Sequence, residues 1–134
     1  MSVERSVVMI VDDDKSMRRA ARRLINSFGL AVETFASADD FLTSGRIEAT
    51  ACLVLDVHMP GLSGLELQSH LIASEYHIPI IFITAFADET AQTQALAAGA
   101  CRYLVKPFEE DDLLDGIRQA LQRQNLTLRG EPPS

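Results

Sequence analysis

Five side chains in this sequence have the types and spacing to do chemistry together: Asp12, Asp13, Asp56, Thr84 and Lys106. Each stands where an apolar run stops. Val7 to Val11 ends at the acidic pair, Cys52 to Leu55 at Asp56, Ile78 to Ile83 at Thr84, and Arg102 to Val105 at Lys106. Short runs this apolar read as strands buried on both faces, the kind found inside parallel sheets. Ligands of open parallel sheets collect at the carboxyl ends of the strands, so all five side chains are expected at one edge.

Three carboxylates gathered there repel one another, each pair by roughly 1 to 4 kcal/mol at contact distance in a moderately polar site. Such a cluster raises its own pKa values or takes up a cation. Oxygen-only ligands with room for water suit Mg2+ over zinc, and the sequence has no Cys/His spacing that would hold zinc. A divalent cation beside an acid, a hydroxyl and an ammonium suits a phosphoryl group. Asp56 would be the nucleophile, Thr84 a hydrogen-bond donor to one phosphoryl oxygen, and Lys106 a counter-charge to the others.

The elements that must position these residues alternate along the chain. After the first strand, Met17, Ala20, Ala21, Leu24, Ile25 and Phe28 recur at helical spacing, with Asp14 or Ser16 as cap and Gly29 as left-handed stop. A strand over 30–35 and a short helix follow, Ser37 and Asp40 resembling a capping box and the helix ending near Gly45. The third helix is expected over 64–74 with Leu67, Leu71 and Ile72 inward. The fourth, mostly alanine, spans 88–98. The fifth, over 110–124, opens on acids that complement its dipole and buries Leu113, Leu114, Ile117 and Leu121. Five strand–helix units imply an α/β, doubly wound parallel sheet with helices on both faces. Residues 1–124 form one domain, and 125–134, with Gly130, Pro132 and Pro133, read as a polar tail or the start of an interdomain linker.

Composition narrows the function. A net charge of −7 disfavours contact with nucleic acid or an anionic membrane through this domain. The N-terminal apolar run is too short for a signal-peptide core or a membrane span. Cys52 and Cys101 read as buried thiols of a reducing compartment, so a cytoplasmic location is expected.

The motifs Val11-Asp12-Asp13, Leu55-Asp56-Val57-His58-Met59-Pro60-Gly61, Thr84-Ala85 and Lys106-Pro107-Phe108, in that order, resemble those of the receiver domains of two-component response regulators, from Val7 to about Gln124. The stretch from Leu55 to Gln68 is most similar to receivers of the FixJ type. The resemblance implies the flavodoxin-like (βα)5 fold with strand order 2-1-3-4-5. It makes Asp56 the phosphoacceptor and Asp12, Asp13 and Asp56 the Mg2+ ligands, joined by the backbone carbonyl of His58. It gives Thr84 and Lys106 contact with the phosphoryl group, makes Thr84 and Tyr103 the switch pair, and places a cis bond before Pro107. The implied partner is a histidine kinase or a histidine phosphotransfer protein. The face built by the fourth helix, fifth strand and fifth helix would then dimerise or meet an effector. His58 is an uncommon residue at its place and could modulate loss of the phosphoryl group.

Other readings are weighed against this one. A haloacid-dehalogenase-type phosphatase uses the same ingredients, but it expects a second Asp where His58 stands and a cap domain for which there is no room. A flavodoxin-type electron carrier needs a hydroxyl-rich phosphate loop where this chain has three acids. A receiver that signals without phosphate is the third. Gly61 and Gly64 read as turn residues, and the arginines of the first helix as a solvated face or a docking site.

Overall fold

The computed structural model describes residues 7–128. Five parallel strands, β1 (Val7–Val11), β2 (Ala31–Phe35), β3 (Thr50–Asp56), β4 (Ile80–Thr84) and β5 (Arg102–Val105), lie in the order β2-β1-β3-β4-β5. They alternate with α1 (Lys15–Ser27), α2 (Ala38–Leu42), α3 (Gly64–Ala73), α4 (Glu89–Ala97) and α5 (Glu110–Leu128). The doubly wound expectation and its strand order are both met.

Strand alternation divides the core into two layers. Val8, Ile10, Cys52, Val54, Ile81 and Ile83 face α1 and α5, meeting Ala21, Ile25, Leu113 and Ile117. Met9, Leu53, Leu55 and Phe82 face the opposite way, toward α2, α3 and α4. Full burial of each large side chain contributes roughly 1.5–3 kcal/mol, so the central strands anchor the molecule. The register pairs Val11 with Leu55 and Asp56 with Ile83, which brings the strand ends level.

Caps start the helices where the sequence offers them. Asp14 accepts from the N–H groups of Ser16 and Met17, Asp88 from Ala91, and Ser63 and Glu66 complete a reciprocal capping box. At Ser37 only the serine half of the expected box forms. Gly29 closes α1 at φ +81°, as anticipated.

Several boundaries and faces differ from expectation. β4 begins at Ile80 rather than Ile78, because Pro79 has no N–H to donate to a ladder. Ile72 is not inward: it is 51% exposed, and Gln68 is buried in α3 instead, its Nε2 donating to the Ala95 carbonyl at 3.0 Å. That bond satisfies a polar group which the apolar pattern could not have placed inside. Cys52 is buried as expected, but Cys101 is only partly so. α5 continues past Gln124 to Leu128, and the rest of the expected tail, 129–134, lies outside the described residues.

Candidate functional site

The carboxyl ends of β1, β3, β4 and β5 meet at one edge. Asp12 is fully buried there, and its Oδ1 accepts from the Asp14 N–H at 2.8 Å. Its backbone carbonyl accepts from Arg18 Nη1 at 2.8 Å. Its Oδ2 takes Lys106 Nζ at 3.3 Å, an ion pair that ties the end of β5 to the end of β1. Asp56 is 6% exposed and accepts from the His58 N–H at 3.3 Å. One carboxylate oxygen from each of Asp12, Asp13 and Asp56 lies within 4.8 Å of the others.

Burial, then the charge of Asp12, pushes the Asp56 carboxyl up to about 7; Lys106 and the His58 N–H pull against them. One ammonium is therefore too little for the acids gathered here. An all-oxygen donor set, part buried and part exposed, with charge in excess of its cationic partner, fits a hydrated hard divalent cation.

Thr84 is fully buried at the end of β4. Its Oγ1 accepts from the Phe86 N–H at 3.1 Å, which leaves its own proton free to donate. The Lys106 N–H donates to the Thr84 carbonyl at 2.7 Å, so the two residues share one backbone tie. The bond between Lys106 and Pro107 is cis, as the resemblance implied. The structure thus gathers Asp12, Asp13, Asp56 and Lys106 by direct side-chain proximity and sets Thr84 beside them through the register.

The remaining expected residues stand close by. His58 turns an exposed ring toward Phe86, edge to face, with centroids 5.6 Å apart. Tyr103 lies against Phe82, with ring centroids 6.3 Å apart, and its hydroxyl is closed off from solvent. Burial, then the nearby Asp88, raises the pKa of that phenol.

Sequence reasoning missed three supports of this site. Gly64 opens α3, as the expected span 64–74 has it, and what was missed is its close approach to β3: its N–H donates to the Val57 carbonyl at 3.0 Å. A Cβ there would overlap the Asp56 carbonyl oxygen and lie 3.0 Å from the Asp56 carbonyl carbon and the Val57 Cα. The signal was a glycine just inside a strong serine cap, where almost any other residue makes a better helix. Arg18 and Gln68 left no signal, since each acts through a tertiary contact with a backbone carbonyl.

A family profile described as the response regulator receiver domain matches residues 8–118. The chain belongs to this receiver family. It is 45% identical over 119 residues to nodulation protein W of Bradyrhizobium diazoefficiens, covering 89% of this chain and 52% of that protein. To the transcriptional regulatory protein FixJ of Azorhizobium caulinodans it is 38% identical, covering 87% of this chain and 55% of that one. The solved structure of response regulator StyR superposes with a TM-score of 0.86 at 48% identity, covering 92% of this chain and 63% of that one. The receiver therefore spans about half the length of the curated relatives it matches. Among the described residues, no helix is long and apolar enough to cross a membrane. The match runs through every element that carries the site, and the phosphatase and electron-carrier readings are left without support.

Proposed function

We propose that this receiver is a phosphorylation-dependent switch, taking a phosphoryl group onto Asp56 from the phosphohistidine of a kinase or phosphotransfer protein. One observation carries the reading: a buried, crowded carboxylate on a strand end, with a lysine held beside it by a neighbouring acid.

An Asp56 carboxylate oxygen attacks phosphorus, the P–N bond to the donor imidazole breaks, and that imidazole leaves with the electron pair. Lys106 turns from Asp12 to offset the charge on the phosphoryl oxygens, and Thr84 donates its free hydroxyl proton to one of them. Asp12, Asp13 and Asp56, with the backbone carbonyl of His58, would hold Mg2+. When bound, Mg2+ supplies the positive charge that lets an anionic donor approach three acids. The receiver is otherwise no enzyme on outside substrates.

The acyl phosphate carries roughly −1.5 to −2 in place of −1. Drawing Thr84 toward it empties space beside Tyr103, which packs further inward. α4 is the element able to respond, because only Ala91 and Ala95 of it are buried. Leu96 and Val105 are exposed large apolar residues of α4 and β5, and the α4-β5-α5 face is where a phosphorylated homodimer or an output partner would bind. FixJ is named as a transcriptional regulatory protein, which supports control of transcription, from the cytoplasm, through a part of the protein joined to the receiver beyond α5.

Incubation with acetyl phosphate, with and without Mg2+, followed by intact-mass and peptide mass spectrometry tests the reading. One phosphoryl group on Asp56, lost on omission of Mg2+ and in Asp56→Asn, is expected. Mg2+-independent labelling, or labelling of the variant at the wild-type rate, would overturn it, and no labelling at all would favour a receiver that signals without phosphate.

A further inference from the structure

On the side of α1 that faces β2, Lys15, Arg18, Arg19 and Arg22 line a groove of about 150 Å³ together with Thr34. Their spacing, i, i+3, i+4 and i+7, sets these cations in one stripe about 10 Å long on the helix. α1 carries no acid that could offset them. β2 offers none either: strand alternation turns Thr34, beside Ile10, toward α1, and turns Glu33, beside Met9, to the other face of the sheet, where Arg46 holds it at 2.6 Å. Among the described residues, no ion pair engages Lys15, Arg19 or Arg22. Arg18 Nη1 donates to the Asp12 carbonyl at 2.8 Å, which fixes that guanidinium in the groove wall and leaves its other N–H groups for a ligand.

We propose that this α1–β2 groove is an oxyanion site that takes the di- or triphosphate group of a small molecule. Cations at helical spacing with no acid among them repel one another, and a bound polyanion removes that repulsion. Guanidinium forks match phosphoryl oxygens in geometry, and Arg18 is held ready by its backbone bond. Thr34 adds a hydroxyl donor from the facing strand. Size selects the ligand. A groove of about 150 Å³ seats no helix, which is about 10–12 Å across, and the length of the stripe suits a short row of phosphoryl groups over a single one. A long polyanion would also meet the net charge of −7. A short chain meets mainly the charges within a Debye length, about 8 Å at physiological ionic strength. Arg23 lies elsewhere, on the α5 side of α1 in a groove that it shares with Lys106 and Phe108. The inference does not depend on phosphorylation of Asp56.

The test is titration calorimetry of the full, unphosphorylated chain with inorganic triphosphate, orthophosphate and adenosine triphosphate, in chelator so that the acids at the sheet edge repel all three. Triphosphate is expected to bind one to one, at least about tenfold more tightly than orthophosphate, and to weaken at least about tenfold between about 20 mM and about 500 mM salt. Tighter binding of adenosine triphosphate than of triphosphate assigns a nucleotide, and equal or weaker binding a free phosphate chain. Amide NMR shifts in the wild type should centre on α1 and Thr34, a map that stands independently of any variant. Arg19→Ser with Arg22→Ser should lose at least about tenfold in affinity while keeping a folded amide spectrum. Arg23→Ser, on the other side of the helix, should bind as wild type does. No saturable binding in low salt, equal affinity for orthophosphate, shifts centred on Asp56 and Lys106, undiminished binding by the double variant, or an equal loss in Arg23→Ser would each overturn the proposal.

Discussion

Replacing Gly64 by alanine separates two physical arguments that differ in sign. Helix propensity favours alanine inside a helix by about 1 kcal/mol, so on local grounds Gly64→Ala should stabilise the protein. The tertiary contact says the opposite. The new Cβ would overlap the Asp56 carbonyl oxygen and sit 3.0 Å from both the Asp56 carbonyl carbon and the Val57 Cα. All three obstacles are backbone, so no rotamer change relieves them, and α3 must move away from β3. Overpacking of this kind costs about 1–3 kcal/mol, and backbone obstacles put it at the upper end. The net expectation is a loss of about 1–2 kcal/mol, or about 3–8 °C in Tm for a domain of this size. Because the overlap falls on Asp56 itself, its carboxylate is displaced relative to Lys106, and a misplacement near 1 Å lowers phosphorylation by acetyl phosphate about 10²-fold. Gly116→Ala is the control. Its Cβ would meet only the Ile81 Cδ1 at 3.1 Å and the Arg102 side chain from 3.2 Å, atoms that can yield. It should cost under about 1 kcal/mol and leave labelling at the wild-type rate. Thermal unfolding and labelling rates read both variants. A Gly64→Ala protein as stable as wild type, labelled within a few-fold of its rate, would refute the close-approach argument.

Three further outcomes are expected. The Asp56 carboxyl is raised from 3.8 to about 7, so the folded state holds its proton more tightly than the unfolded state does. The resulting penalty is absent below about pH 4, grows as pH rises, and is complete above about pH 7. The full shift corresponds to about 4 kcal/mol, which solvent screening at the sheet edge reduces to about 1–2. In chelator, Asp56→Asn should therefore gain that much over wild type at pH 8 and almost nothing at pH 4 by urea unfolding, and an equal gain at both would contradict the electrostatic cause. Tyr103→Phe removes a buried hydroxyl without a partner among the described residues and should stabilise by about 1 kcal/mol; a loss would reveal a partner for that oxygen. Gln68→Ala breaks the bond that holds α3 to α4, while the Ala95 carbonyl keeps the Ala100 N–H at 3.0 Å, so the cost is about 0.5–1.5 kcal/mol. Hydrogen exchange should then rise first in α4, and unchanged protection there would remove Gln68 as its anchor.

The sequence by itself determined the strand ends, the alternation and the five reactive side chains, because buried strands are written as apolar runs and their ends as the first polar residues. The cap at Asp14 was legible for the same reason: it bonds to backbone only two or three residues away. What spans the fold was not legible. Gln68 reaches a carbonyl in another helix, and Ile72, apolar and at helical spacing, ends up in solvent. Gly64 is needed for a backbone that approaches it from β3, and the rise in the Asp56 pKa exists only where Asp12 and burial act on it together. Local pattern encodes each element's own hydrogen bonds and its apolar face. Steric clearance and the field at a point sum over residues distant in sequence, and only the tertiary structure sets those distances.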